Sequence, residues 1–337
     1  MKVALLAHEK FPDDAKTAVG VLRYADYDVV AVLDRTNAGT RVNDSLPDVQ
    51  DAPVVASMDD VEADVDALVI GVAPIGGGFE ESWRPDVRAA LERGCDVYAG
   101  LHYFLAEDEE FAGLADEHGA ELWDVRKPPE DLGVSDGVAA DVDATVVTTV
   151  GTDCNVGKMT ATRELYEAAQ ERGMDAAFVA TGQTGILIEG SGIPVDRVIS
   201  DFTAGAVERM VVEAAEDHDY VLVEGQGSIV HPAYSGVTVG IVHGSMPDYQ
   251  VLCHEVGRDS VHGYDQALPP VDSFPERYET FAEPVSDSPV AAGMLNTRSV
   301  DDDADAEDAV AEFSDSIGVP ADDPVRFGTD DVLEVIM

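Results

Sequence analysis

Val146-Val147-Thr148-Thr149-Val150-Gly151-Thr152-Asp153-Cys154-Asn155-Val156-Gly157-Lys158-Met159-Thr160 decides how this chain is read. A β-branched run ends in a loop that opens with Gly151 and closes with Gly157-Lys158, and helix formers follow from Ala161 to Arg172. Strand, glycine loop, lysine and helix make a phosphate cradle: loop N–H groups and the helix N-terminus face the anion, and the lysine adds positive charge. Two departures from the common pattern stand out. Five residues, Thr152 to Val156, separate Gly151 from Gly157-Lys158 where four are usual, and Met159 stands where a hydroxyl would ligate Mg²⁺, with Thr160 one place later.

Outward from the loop, residues 144–337 read as a nucleotide-binding α/β domain. Asp175 to Ala180 is a strand that leads into Thr181-Gly182-Gln183-Thr184-Gly185. Val195 to Asp201 reads as an edge strand and Ala204 to Ala215 as a helix. Tyr220 to Val223 is a buried strand with Glu224 at its tip, where a nucleotide fold holds Mg²⁺ or water opposite the phosphate loop. Gln250 to Cys253 and Val290 to Leu295 are later strands, and Asp331 to Met337 closes the chain as a short helix. His231, His243 and His254 are spaced by 12 and 11 residues, which fits no standard zinc pattern.

Residues 1–126 alternate short apolar strands (Val3 to Ala7, Val29 to Leu33, Ala67 to Val72, Asp96 to Ala99, Glu121 to Trp123) with helical segments (Ala15 to Ala25, Arg84 to Arg93, Glu107 to His118). Alternation of this kind implies a parallel sheet covered on both faces, a Rossmann-like domain. Asp34 ends the second strand, where a dinucleotide fold places its ribose-binding acid. The first loop, His8 to Asp14, has no glycine, so a pyrophosphate could not approach its backbone and NAD binding is not expected. The loop Gly71 to Phe79 carries Gly76-Gly77-Gly78 beyond a strand's carboxyl end, with Trp83 and Arg84 as a candidate cleft wall. Residues 127–143, rich in Pro, Gly and Asp, read as the linker.

Composition narrows the partners. The 337 residues hold 20 Lys and Arg against 68 Asp and Glu, a net charge of −48, yet 45% are hydrophobic. This is a globular composition, not a disordered acidic one. Even acidity with few lysines is expected of a protein from a salt-loving organism, because at about 1 M salt the Debye length is only ~3 Å. Nucleic acid and anionic membranes are disfavoured partners, and an anionic ligand needs a local pocket of N–H groups, Lys and Arg. Cys95, Cys154 and Cys253 form no Cys-x-x-Cys pair, which argues against a disulfide framework. No apolar run approaches 18 residues and the N-terminus lacks a signal peptide, so a cytoplasmic protein is expected.

Three stretches carry a resemblance. Gly151 to Lys158, with its five-residue gap, looks like the loop of dethiobiotin synthetase; Val223-Glu224-Gly225-Gln226-Gly227 is similar to that enzyme's second motif, and Asn296 to its adenine-contacting asparagine. The fuller resemblance is to the DUF1611 family. It rests on Gly151 to Thr160, on Ala180-Thr181-Gly182-Gln183-Thr184-Gly185, and on Glu224 to Thr238, which reads Glu-Gly-Gln-Gly-Ser-Ile-Val-His-Pro-Ala-Tyr-Ser-Gly-Val-Thr. That resemblance implies a Rossmann-like domain followed by a P-loop domain. Some members are D-glutamate N-acetyltransferases that use acetyl-CoA.

On this reading Gly151 to Thr160 and Asn296 would hold the CoA nucleotide, a use that needs no hydrolysis and tolerates Met159. Glu224, His231 and Asp201 are candidate bases for the amine. Gln183, Tyr234, Ser235 and Thr238 are candidate contacts to the amino-acid substrate, the last three for its carboxylates. The alternatives are an ATP-dependent ligase, in which Thr160, Glu224 and Asp153 would organise Mg²⁺ and the phosphates, and a nucleotide-binding protein without turnover. A small-molecule substrate and a homo-oligomer are expected.

Overall fold

A computed structural model describes residues 1–74 and 76–337; Ile75, within the Gly71 to Phe79 loop, lies outside the described residues. The chain is α/β and forms two compact units, residues 1–128 with 183–194, and residues 129–182 with 195–337. Among the described residues no helix is long and apolar enough to cross a membrane.

The first unit holds β1 (Lys2–Leu6), α1 (Lys16–Tyr24), β2 (Asp28–Leu33), β3 (Val54–Val55), β4 (Ala67–Ile70), α2 (Arg84–Glu92), β5 (Asp96–Ala99), α3 (Glu109–His118) and β6 (Leu122–Asp124). Its strands run parallel in the order β3-β2-β1-β4-β5-β6, a doubly wound Rossmann order. Strands such as Val3-Ala4-Leu5-Leu6 are apolar without alternation because helices cover both faces of a parallel sheet. Asp34 is fully buried and accepts from Glu9 N (2.9 Å), Thr36 N (3.1 Å) and Asn37 Nδ2 (2.8 Å), so it braces the loops after β1 and β2. Trp83 and Arg84 are not a cleft wall. Trp83 is buried, and the Arg84 guanidinium is held by Asp108 and Glu110, each at 2.9 Å, tying α2 to α3.

The motif at residues 181–185 runs into a helix, α5 (Gln183–Glu189), which the first unit claims. It follows α4 (Lys158–Glu171) in the chain. Its residues Gln183 to Ile188 are buried, Thr184 Oγ1 meets Thr17 Oγ1 at 2.9 Å, and Gln183 packs on Gly100, the residue after β5. α5 therefore spans from the first turn of α1 to the end of β5. That is the crevice at the strand-order switch where this fold otherwise takes a dinucleotide.

The second unit opens with β7 (Thr145–Gly151) and α4, and continues with β8 (Ala176–Val179), α6 (Thr203–Ala215), β9 (Tyr220–Val223), α7 (Ser235–Ser245), β10 (Tyr249–Glu255), α8 (Phe274–Ala282), β11 (Val290–Asn296), α9 (Asp303–Ile317), β12 (Ala321–Asp322) and α10 (Asp330–Ile336). The order is β12-β11-β10-β7-β9-β8, all parallel. Successive side chains feed opposite cores. Val251 and Cys253 join Leu165, Leu333 and Ile336 on one face; Leu252 joins Phe274, Tyr278 and Phe313 on the other. The edge strand expected at Val195 to Asp201 is instead two 3₁₀ turns, Val195–Arg197 and Ser200–Phe202. Pro194 and the turn formers Ser200 and Asp201 bracket it, and β8 is the edge. The helix α7 was legible only as a glycine-rich motif. Its Gly244 exists for contact: a Cβ there would lie 2.3 Å from Ala204 O on α6.

The Pro/Gly-rich stretch 127–143 belongs to the second unit from residue 129 onward. The buried Glu208 carboxylate on α6 fastens it, accepting from Asp136 N (2.6 Å), Val138 N (2.8 Å), Ala139 N (3.5 Å) and Ser135 Oγ (3.0 Å). Burial alone would raise the Glu208 pKa; the hydrogen bonds outweigh it and hold the pKa below the ordinary value. Because the folded pKa is lowered, this stabilisation is complete above the ordinary glutamate range and is lost as pH falls through the lowered value. Glu208→Ala is expected to cost about 3 kcal/mol at neutral pH, from donors left without an acceptor. Thermal melts should show the deficit shrinking in acid; a constant deficit from pH 7 to pH 3 counts against the carboxylate's role.

Candidate functional site

Gly157 ends the loop at φ 106°, a backbone state that favours glycine, and caps α4. The first hydrogen bond of α4 runs from Ala161 N to Gly157 O at 2.8 Å, so the N–H groups of Lys158, Met159 and Thr160 lie ahead of it at the positive end of the helix. Lys158 is buried, and its Nζ donates to Asp153 O at 2.8 Å, bending the ammonium into the loop. Asn155 adopts φ 58°, a conformation asparagine tolerates, with its amide 3.3 Å from His262 Nε2. Asn296, at the end of β11, lies beside Gly157: a Cβ added there would be 3.7 Å from its Nδ2.

Tyr278 and Arg258, which the sequence reading did not single out, help to hold this loop, together with Ser228 and His254. Tyr278 OH on α8 donates to Gly151 O (2.6 Å) and accepts from Gly151 N (3.3 Å) and Ile229 N (3.4 Å); burial pushes its pKa up to about 12, so it stays a phenol. Ser228 Oγ donates to Thr152 O at 2.9 Å. Thr152 Oγ1 meets His254 Nδ1 at 2.8 Å. Burial, reinforced by Arg258, lowers the His254 pKa to about 4, so this histidine is neutral at neutral pH. Arg258, after β10, is 4.0 Å from Asp153 Oδ2 and is ion-paired with Glu255, which also meets Arg298 Nη2 at 2.8 Å. In a chain of net charge −48, Lys158, Arg258 and Arg298 are thus gathered at the carboxyl ends of β7, β10 and β11. Nothing in the spacing of these three residues announces that meeting.

Glu224 is buried at the tip of β9 and accepts from Thr181 N (3.1 Å) and Gly182 N (3.0 Å). Gln226 Nε2 donates to Thr181 O at 2.6 Å. His231 is also buried. Ala233 N donates to its Nδ1 (3.2 Å) and its Nε2 donates to His262 O (3.1 Å), which defines a neutral tautomer with both nitrogens engaged. Its ring stacks on Tyr234 at 4.7 Å and meets Tyr264 edge-on at 5.3 Å. Thr238 hydrogen-bonds Gln226 O (2.7 Å) and Tyr234 O (3.2 Å), and Ser235 N donates to His231 O (3.1 Å); both hold the turn into α7. Tyr234 is exposed. Asp201 stands exposed on the Ser200–Phe202 turn, and among the described residues no hydrogen bond joins it to the loop. Gln183 belongs to the first unit. The three histidines do not converge: His231 and His254 are placed as above, and His243 Nε2 donates to Phe281 O at 2.8 Å.

Comparison with known proteins matches residues 133–333 to the family described as a domain of unknown function, DUF1611_C, P-loop domain. Residues 35–128 match the DUF1611_N Rossmann-like domain. A relative in Tritonibacter scottomollicae, named D-glutamate N-acetyltransferase, is 35% identical over 96% of this chain and 94% of its own length. A second of that name, from a Pseudoalteromonas species, is 37% identical over 79% of this chain and 80% of its own. The crystal structure of a DUF1611 family protein from Anabaena variabilis matches with a TM-score of 0.95 and 37% identity, covering 100% of this chain and 99% of that one.

Proposed function

This chain belongs to the DUF1611 family, and from that premise we propose that it transfers the acetyl group of acetyl-CoA to the amine of D-glutamate or a closely related amino acid. The observation that carries the reading is the near full-length likeness to an enzyme named for that reaction, 35% identical over 96% of the chain. The loop supports it: Gly151 to Thr160 has the N–H groups, the lysine and the neighbouring arginines that two anionic substrates need in so acidic a protein. The donor set suits a pyrophosphate such as that of CoA, which Lys158 and the first N–H groups of α4 would hold, with Asn296 beside Gly157. When bound, acetyl-CoA supplies a thioester carbonyl that the substrate amine attacks, with CoA thiol as leaving group.

The chain's own residues then have two tasks. One is to take a proton from the amine, for which Glu224 is the better placed carboxylate, at the tip of the strand next to β7. His231 serves less well as base, since each ring nitrogen already has a backbone partner. The other is to hold both substrates together, which lowers the barrier by orientation. Met159 at the usual Mg²⁺ hydroxyl position favours binding over phosphoryl transfer.

Incubation with acetyl-CoA and D-glutamate in high salt, without ATP, is expected to release CoA thiol and yield N-acetylglutamate. Product that appears only with ATP, together with ADP, would make the protein a ligase of the dethiobiotin synthetase type and overturn the proposal.

A further inference from the structure

Asp153, Cys154 and His231 come together although the sequence separates the first pair from the histidine by more than seventy residues. A carboxylate oxygen, the thiol sulfur and a ring nitrogen all lie within 4.8 Å of one another. Around a tetrahedral zinc the corresponding atoms stand roughly 3.5 Å apart, so a contraction of about 1 Å would close them on an ion. We propose that these three residues form a binding site for a borderline-soft divalent cation of the zinc class, at the edge of the phosphate loop.

Four observations carry this beyond proximity. The first is the donor set: one imidazole, one thiol and one carboxylate are the ligands such a cation takes, and the thiol selects it over Mg²⁺. The second is the histidine's outer partner. With Nδ1 on the ion, Nε2–H would keep its donation to the backbone carbonyl of His262 at 3.1 Å, the arrangement found behind metal-bound histidines. The 3.2 Å contact from Ala233 N to Nδ1, two residues along, would then have to yield. Third, the ring is fixed in orientation by Tyr234 and Tyr264. Fourth, Asp153 is fully buried with both oxygens already oriented, by Cys154 N at 2.7 Å and His262 N at 2.6 Å, which leaves lone pairs for a metal. His262 therefore braces two of the three ligands through its backbone.

The surrounding charge is consistent with such an ion. A divalent cation that displaces the Cys154 thiol proton takes the site from −1 to neutral, a gain of one positive charge that Lys158 and Arg258 beside Asp153 oppose and the chain's net charge of −48 favours. Three protein ligands leave a fourth position for water or for a substrate oxygen.

The test uses the full chain, stripped with chelator and titrated with Co²⁺ alone. One Co²⁺ per chain is expected, with the near-ultraviolet thiolate-to-cobalt absorption, displaced by Zn²⁺ and untouched by a hundredfold excess of Mg²⁺. Cys154→Ser should abolish that absorption. His231→Gln and Asp153→Asn should each weaken Co²⁺ at least tenfold with far-ultraviolet dichroism unchanged, so that one variant that fails to fold leaves the others decisive. Absence of the band in the wild type, its survival in Cys154→Ser, or displacement by Mg²⁺ overturns the site. So does acetylated Cys154 recovered from protein that shows no band, which would make the thiol a nucleophile. These readouts are independent of acetyl transfer.

Discussion

Lys158→Ala is expected to weaken acetyl-CoA binding by about 10- to 100-fold and to cost the free protein about 1–3 kcal/mol, from a buried acceptor left without its donor. The ammonium is one of few cations in a strongly acidic chain, and a hydrogen bond to a charged group contributes roughly 1.5–3 kcal/mol, where 1.4 kcal/mol is tenfold. In the free protein it donates to Asp153 O in a buried hydrogen bond, so truncation leaves a buried carbonyl without that donor. Lys158→Arg is not a conservative rescue. The lysine stem runs beneath Gly225, where even a Cβ would stand 3.3 Å from Lys158 Cδ, and a planar guanidinium is bulkier than an ammonium. Isothermal titration at high salt checks the affinity, and the ligand-induced rise in melting temperature should vanish with it. Unchanged affinity would mean that the loop does not hold the CoA phosphates.

Gly225→Ala is expected to be the most destabilising of these substitutions. A Cβ there would lie 1.7 Å from Thr149 O and 2.8 Å from its carbonyl carbon, and neither is the tip of a flexible side chain. The same approach lets Gly225 N donate to Thr149 Oγ1 at 3.0 Å, while that hydroxyl also meets Thr162 Oγ1 at 2.8 Å. The clash therefore pries β9's end away from β7 and α4 together. Overpacking costs about 1–3 kcal/mol where side chains can give. Here backbone must move, so more than about 3 kcal/mol is expected, a fall of roughly 6–12 °C for a unit of this size. Gly236→Ala is the contrast: nothing lies within 4 Å of its would-be Cβ, in the first turn of α7, and the melt should stay within a few degrees. If both variants melt alike, the close approach at Gly225 does not exist in solution.

Much of the fold was legible. Apolar, β-branched runs without alternation marked the strands that both helical layers cover, and observed ends fall within about two residues of those read for β1, β2, β4, β5 and β7 to β11. Where reading failed, the signal was weak or misleading. β3 and β12 have two residues each, too short for any period. Val195 to Asp201 had strand composition but no neighbour to pair with. Gln183 to Glu189 and Ser235 to Ser245 begin in glycine-rich motifs, which read as loops although close packing makes them helices.

The sequence by itself determined the P-loop, the two-domain α/β class and the family. These are consequences of residue types at short spacing, which local backbone chemistry decides. Tertiary structure alone decided what surrounds the P-loop. Parallel pairing of β7 with both β9 and β10 sets their carboxyl ends side by side, and so brings Glu224, His254, Arg258 and Asn296 to one end of one sheet. It decided that Tyr278 pins Gly151 from 127 residues away, that α5 fills the first unit's crevice, and that His231 meets Asp153 and Cys154. Such contacts depend on strand order and on which helix covers which face, and no spacing along the chain encodes either.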